Sequence, residues 1–338
     1  MDIKNNPYKK PIFCDLVITE NCMLKCKMCN MWQSKNDSNE LPAETWKGLI
    51  DSLTDFVGNS AQVQFVGGEP LFKKGVLDII KHAAKKGFST TMTTNGYLMD
   101  EKVAKDIVES GLNTIVFSLD SIKKETHDFL RGIDGVYDRV MAGIDLLAGL
   151  NRGSLKIHIV ATIMQQNLDE LLELAEWANR NNAINGISFQ AIMQPFFTAP
   201  DEDWYKNKEF SFLWPKEMNK ADHVLDNLIR LKKDGYKITN PIAQFNIFKS
   251  YFRYPENFVK TSRCNLGYNS ITVNTQGKIF LCNSMLPIGD IQEGKDIKEL
   301  WFSDKAEEVR NEIRNCKHNC KLLINCFFEE EPNSKIQI

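Results

Sequence analysis

Cys22-Met-Leu-Lys-Cys26-Lys-Met-Cys29 places three thiols within eight residues. Thiolates are soft ligands, and three on one short loop can converge on one soft metal centre. Structural zinc asks for four ligands in a closed tetrahedron. No fourth cysteine and no histidine lies nearby, because the histidines stand at 82, 127, 158, 223 and 318. A four-iron cluster held by three cysteines keeps one iron open, and an open iron is a place for chemistry. Between Cys29 and Cys264 there is no cysteine at all, and Cys264, Cys282, Cys316, Cys320 and Cys326 then occupy the last quarter of the chain. The thiols thus form two separate sites. The second is compatible with a zinc ribbon, with His318 as a further donor, or with an iron–sulfur cluster. Cys14, inside an apolar run, reads as a small buried hydrophobe on a strand.

Other residues able to do chemistry stand where short β-branched runs end. Gly67-Gly68-Glu69-Pro70 offers two glycines that let a ligand approach the backbone, and a carboxylate that can accept hydrogen bonds from an ammonium. Thr93-Thr94-Asn95-Gly96 ends the next run, and Ser118-Leu119-Asp120-Ser121 the one after, with Ser118 and Asp120 on one face.

These positions depend on an alternation of strands and helices. Strands are predicted at Ile12–Thr19, Ala61–Val66, Ser89–Thr93, Thr114–Leu119, Lys156–Ile163 and Gly186–Ile192. Helices are predicted at Ala43–Phe56, Lys74–Lys86, Glu101–Ser110, Tyr137–Leu150 and Leu168–Asn181. Pro42 near a helix start, Gly87 and Gly111 after helix ends, and Asp100 and Asn167 in N-cap positions agree with these spans. Repeated strand-then-helix units imply parallel strands, with the site at their carboxyl ends. Periodicity does not separate an open sheet from a barrel.

From Gln194 to Ser262 the chain turns rich in aromatics and proline, with helical patterns at Met218–Lys233 and Ile242–Tyr251. It suits either the roof of a cavity or packing between two domains. A hairpin follows, Ser270–Val273 and Lys278–Cys282 about an Asn274–Gly277 turn, then a helix at Ile297–Ile313. The expected domains are 1–195, a connecting segment 196–262, and 263–338.

With 42 basic and 44 acidic side chains in 338 residues, net −2, no general grip on nucleic acid or anionic membrane is expected. At 43% hydrophobic and 25% charged the composition is that of a soluble globular protein, without a membrane span. The opening MDIKNNPYKKP lacks the apolar stretch of a secretion signal, so a cytoplasmic location with reduced thiols is expected. Nine cysteines are then ligands or core residues rather than disulfides.

The C-x3-C-x2-C loop after the first strand resembles the signature of the radical S-adenosylmethionine (radical SAM) enzymes. The resemblance implies that SAM chelates the open iron through its amino and carboxylate groups. One electron then cleaves the sulfonium, and the 5′-deoxyadenosyl radical abstracts hydrogen from a substrate. It implies SAM contacts at Met28, where the family often has an aromatic beside adenine, and at Gly67, Gly68 and Glu69, similar to the family's GGE motif. Thr94 and Asn95 resemble its T-N-G segment, and Ser118 and Asp120 match positions contacting the ribose or carboxylate. His127-Asp128-Phe129-Leu130-Arg131-Gly132 is similar to a recurrent segment in which Arg131 pairs with the SAM carboxylate. The resemblance covers residues 11–195 and implies an α/β fold, a partial (β/α)6 TIM-like barrel.

The C-terminal pattern resembles the SPASM/twitch extensions of these enzymes: a Cys, the Gly277-x4-Cys282 hairpin, a segment like Ile297-Lys-Glu-Leu-Trp301, and a later cysteine cluster. It departs from the full SPASM pattern in the three-residue gap between Cys316 and Cys320, in Glu330, and in having no cysteine after Cys326. Five thiols suffice for one auxiliary [4Fe–4S] cluster and not two, with Cys316 or Cys320 the expected spare. If only three bind, an open iron could ligate substrate.

The expected function is hydrogen abstraction from a small metabolite or a peptide, for oxidation or modification, with flavodoxin or ferredoxin as electron donor. The early first strand leaves no room for a fused peptide-recognition domain, which weighs against a peptide. Transfer of a carbon or adenosyl group, forming C–C or C–S bonds, stays open. From another class, so does a zinc-stabilised binding protein without redox chemistry.

Overall fold

The structure, a computed structural model, describes residues 10–34, 40–151, 153–199, 201–257, 264, 266–320 and 324–325. Strand β1 (Phe13–Thr19) alternates half-buried with buried residues and turns Cys14, Leu16 and Ile18 into the core. Burial also pushes the Cys14 thiol far above its ordinary pKa, so it stays protonated core. Helix α1 (Ala43–Val57) buries Trp46, Leu49, Ile50 and Leu53, the spacing of one helical face.

The alternation continues through β2 (Gln62–Gly67), α2 (Val76–Lys85), β3 (Ser89–Thr94), α3 (Glu101–Ser110) and β4 (Thr114–Ser118). Then come α4 (Lys124–Arg131), α5 (Val136–Leu150), β5 (Lys156–Ile163), α6 (Leu171–Arg180) and β6 (Gly186–Ala191). These six strands lie parallel in the order β6-β5-β4-β3-β2-β1. Phe65, Phe117 and Phe189, fully buried on β2, β4 and β6, each contribute about 1.5–3 kcal/mol by leaving water. β1 and β6 do not pair, so the sheet is the open, partial barrel expected.

Helices α7 (Met218–Lys233) and α8 (Ile242–Arg253) follow. Trp214 packs 5.2 and 5.3 Å from the Tyr251 and Phe252 rings, so these aromatics of the connecting segment are packing rather than roof. After the short α9 (Leu266–Asn269) come β7 (Ser270–Val273), β8 (Lys278–Phe280) and β9 (Gly289–Asp290), then α10 (Ile297–Trp301) and α11 (Asp304–Asn315). β7 pairs parallel with β1, from Phe13 opposite Ser270 to Leu16 opposite Val273. The C-terminal hairpin therefore extends the barrel sheet to nine strands instead of standing apart from it.

Three local expectations change. The helix expected at Ile297–Ile313 breaks after Trp301, where the Ser303 side chain accepts a hydrogen bond from Ala306 N and starts α11. α4 was not expected; it ends at Gly132, whose φ of +75° suits glycine. Asp100 caps α3 by accepting from Val103 N, but Asn167 does not cap α6. It is fully buried, where its amide donates to the carbonyls of Asp120 and Thr162 and accepts from Met164 N.

β2 ends against the chain that leaves β1. Gly68 N donates to Thr19 O and Glu69 N to Asn21 O, both at 2.8 Å. A Cβ on Gly67, at φ +138°, would lie 2.1 Å from Thr19 O, and one on Gly68 2.2 Å from Asn21 O. The protein's own backbone thus takes up the space these glycines leave. Gly67→Ala is expected to cost about 1–3 kcal/mol in chemical denaturation. Gly48→Ala, in open space on α1, should instead add about 0.5–1 kcal/mol. Equal effects of the two would show that the Gly67 contact is slack.

Candidate functional site

The cysteine loop is held at both ends. At its start, Glu40 accepts from Thr19 Oγ1 at 2.6 Å and Glu20 N at 3.0 Å, and its second oxygen faces Lys73 Nζ at 3.0 Å. Further on, Lys27 N donates to Leu130 O at 2.8 Å, and a Cβ on Gly132 would lie 2.0 Å from Lys25 O. The end of α4 is thus pressed onto the loop backbone beside Cys26. Beyond Cys29, Asn30 N donates to Phe196 O at 2.9 Å, and Cys29 bridges Phe196, so the segment after β6 reaches the loop across the open mouth. There Phe196 and Phe197 are half exposed, Phe197 at a left-handed φ of +62° that aromatic residues rarely adopt.

Burial pushes the Cys22 thiol up to about 11 and the Cys26 thiol to about 12, and for both the nearby Cys29 pushes the same way. The three thiols therefore feel one another, and each must release a proton to bind iron. Among the described residues no three His, Cys, Asp or Glu side chains converge tightly enough for a single ion. A four-iron cluster, by contrast, takes its thiolates at separate corners.

The ends of β2 and β3 meet this loop through one carboxylate. Fully buried Glu69 accepts from Thr94 Oγ1 at 2.8 Å, Asn95 N at 2.7 Å and Leu71 N at 3.1 Å. The Asn95 amide in turn lies 3.6 Å from Cys22 Sγ. Glu69, Thr94, Asn95 and Cys22 are one connected group. Its glycine neighbours, Gly67 and Gly68, pack closely against the chain leaving β1.

A second group sits at the end of β4. Asp120, fully buried, accepts from Thr162 N at 2.9 Å and faces Arg131 Nη2 at 2.8 Å. Burial pushes the Asp120 carboxyl up against the pull of Arg131. Burial also works against the Arg131 charge, but facing Asp120 and Cys26 it holds its proton more tightly than usual. Arg131 is therefore engaged by the protein's own carboxylate, while its buried Nε has no acceptor among the described residues. Met28 is half-buried on the loop, and Ser118, also half-buried, makes no side-chain hydrogen bond among the described residues. Sequence reasoning missed Glu40, for which a lone acid gives no signal, and the roles of Asn167 and His127. Burial keeps the His127 imidazole neutral, and its Nδ1 accepts from Asp120 N at 3.2 Å.

The C-terminal thiols gather elsewhere. Cys282, Cys316 and Cys320 line a cavity of about 410 Å³ with Ser284, Met285 and His318. Burial raises Cys264 to about 11, and Cys320, Cys282 and Cys316 push the same way. Neither Cys316 nor Cys320 is set apart from this group, and Cys326 lies outside the described residues.

Thiols and a buried carboxylate thus stand at the carboxyl ends of parallel strands, where α/β folds place their sites. Comparison with known proteins gives the family. The model of the radical SAM superfamily matches residues 16–178, and that of the SPASM iron–sulfur cluster-binding domain matches 264–326. The AdoMet-dependent heme synthase of Methanosarcina barkeri is 24% identical over 93% of both chains. SuiB of Streptococcus suis bound to S-adenosylmethionine superposes with a TM-score of 0.68 at 18% identity, over 89% of this chain and 68% of that one. Native anSMEcpe with bound AdoMet and Cp18Cys peptide gives 0.64 at 18% identity, over 94% and 88%. The chain therefore carries a radical SAM domain and a SPASM domain, and these domains imply a SAM-binding [4Fe–4S] cluster and auxiliary iron–sulfur.

Burial pushes the Glu69 carboxyl from the ordinary 4.5 to about 7, against the pull of its donors. A carboxyl whose folded pKa is raised keeps a proton that the unfolded chain gives up. Its contribution to stability is therefore present at low pH and lost as pH rises between about 4.5 and 7. Denaturant titrations across that window should show this decline in the wild type and a flatter profile in Glu69→Gln. Identical profiles would show that Glu69 does not carry the shift.

Proposed function

We propose that Cys22, Cys26 and Cys29 hold the SAM-binding cluster and that SAM lies across the ends of β1 to β4. The observation that carries this reading is the hydrogen-bonded path from Cys22 through Asn95 to Glu69, which sets a buried carboxylate beside the thiol loop. When bound, the cluster and SAM supply one-electron reductive cleavage and hydrogen-atom abstraction. Glu69, its geometry locked by Thr94 and the Asn95 backbone, accepts from the SAM amino group. Gly67 and Gly68 fix the turn that presents it. Ser118 and Asp120 face the ribose or carboxylate, Arg131 offers Nε to the carboxylate, and Met28 lies beside the adenine.

Four of Cys264, Cys282, Cys316, Cys320 and Cys326 hold one auxiliary [4Fe–4S] cluster, which takes up the electron left on the substrate or holds the substrate itself. In domain terms, 1–195 is the barrel, 196–262 the connection and 263–338 the auxiliary unit. The substrate is a small metabolite or a peptide that is oxidised or modified. Likeness to a heme synthase over nearly the whole chain supports the first, and structural likeness to anSMEcpe with its bound Cp18Cys peptide supports the second. Flavodoxin or ferredoxin in the cytoplasm, where thiols stay reduced, supplies the electron.

Anaerobic reconstitution is expected to give about eight irons per chain, four for each cluster. Cys26→Ala should keep about half of that iron and form no deoxyadenosine under reduction with SAM. Colourless protein with stoichiometric zinc, or undiminished deoxyadenosine from Cys26→Ala, would contradict the assignment. Glu69→Gln is expected to weaken SAM binding about 10-fold or more, as loss of a charged hydrogen-bond partner does, with iron content unchanged.

A further inference from the structure

β6 is the edge of the parallel sheet, so the outward N–H and C=O groups of Ile187, Phe189 and Ala191 need partners from outside it. They are met in three ways along the strand. Ile187 exchanges backbone hydrogen bonds with Lys237 and Thr239, at 2.9 and 2.8 Å. At Phe189 a side chain stands in for the missing strand: the Asn240 amide accepts from its N–H at 2.7 Å and donates to its C=O at 2.8 Å. At Ala191 the amide of Asn325 does the same, accepting at 2.8 Å and donating at 3.1 Å. The two amides are joined by Gln244, which accepts from Asn240 Nδ2 at 2.6 Å and donates to Asn325 O at 2.7 Å. All three side chains are buried, so each bond is made in a setting where leaving it unmade is costly.

Asn325 differs from Asn240 in where it comes from. It belongs to the C-terminal cysteine segment, and the preceding residue, Ile324, donates its N–H to Cys320 O at 3.0 Å. Cys282, on the hairpin that joins the sheet beside β1, lines the same cavity as Cys320. The thiol group is thus tied to one end of the open parallel sheet through β7 and to the other through Asn325.

We propose that Asn325 is a positioning residue that fastens the Cys320 loop to the edge of β6 and so fixes the geometry of the auxiliary cluster. This rests on reading the C-terminal thiols as ligands of that cluster. Among the described residues Asn325 bonds to Ala191 and Gln244 and to no cysteine sulfur; it acts by giving the loop a place in the barrel that does not depend on iron.

The test uses the full chain with Cys22, Cys26 and Cys29 all changed to Ala, so that bound iron reports on the C-terminal thiols alone. After anaerobic reconstitution this parent is expected to hold about four irons. Adding Asn325→Leu should alter the electron paramagnetic resonance signature of the reduced cluster and speed its loss to a chelator about 10-fold, the lower end of the cost of disturbing groups that orient ligands. Asn240→Leu removes the other buried amide that pairs with the edge of β6, one that reaches the cysteine segment only through Gln244. It should lower thermal stability comparably while leaving spectrum and chelator rate at parental values. Should Asn325→Leu not fold, Asn325→Asp keeps the acceptor for Ala191 N–H and loses the donor, and the same spectral change is expected in smaller degree. A parental spectrum and rate in the Asn325 variants, or equal changes from Asn240→Leu, would overturn the proposal. A parent that takes up no iron would instead overturn the assignment of the C-terminal thiols, and the proposal with it.

Discussion

The close approach between the end of β2 and the chain leaving β1 is the contact on which the rest of the site depends. Thr19 and Asn21 give their carbonyls to Gly68 and Glu69, at a separation that leaves no room for a Cβ on Gly67 or Gly68. One contact thereby sets both the first residue of the cysteine loop and the carboxylate that faces it. Glu69 can then be fully buried, because Thr94 and Asn95 at the end of β3 supply donors that a buried carboxylate requires. Three neighbouring strands, in register, converge on one thiol.

Around that point the loop is immobilised by groups with no chemistry of their own. Glu40 with Lys73 holds its start, Leu130 and Gly132 of the α4 end hold its middle, and Phe196 holds its far side. A cluster ligated by three residues of one loop has only that loop to place it, so rigidity has to come from outside the ligands. The stretch from Ala191 to Phe196 serves both thiol groups, meeting Asn325 at one end and Cys29 at the other. The two cysteine loops are thereby fastened to a single short piece of chain.

Much of this was legible in the sequence, and for identifiable reasons. Cysteine spacing carries coordination chemistry directly, and the alternation of β-branched runs with amphipathic helices placed six strands to within a residue or two. Asp100 was readable as a cap because capping is local. What was not readable is set by contacts distant in sequence. Nothing in Ser270–Val273 says that it pairs with β1 rather than only with its own hairpin partner. Asn167 has the composition and place of a cap, yet tertiary packing recruits its amide to hold the Asp120 backbone. Arg131 resembled a residue that pairs with a ligand carboxylate, and no spacing announces that the fold also sets Asp120 against it. Glu40 and Asn325 carry no motif at all; their roles exist only once β1, β2 and β6 are assembled.

The central claim is that the thiol loop leaves one iron open and that the amino group of SAM binds there beside Glu69. Electron–nuclear double resonance on the reduced, reconstituted protein, with SAM carrying an isotopically labelled amino nitrogen, tests it most directly. A hyperfine coupling from that nitrogen is expected in the wild type and is absent when Cys22, Cys26 and Cys29 are replaced. A reduced N-terminal cluster that binds SAM without such a coupling would contradict it.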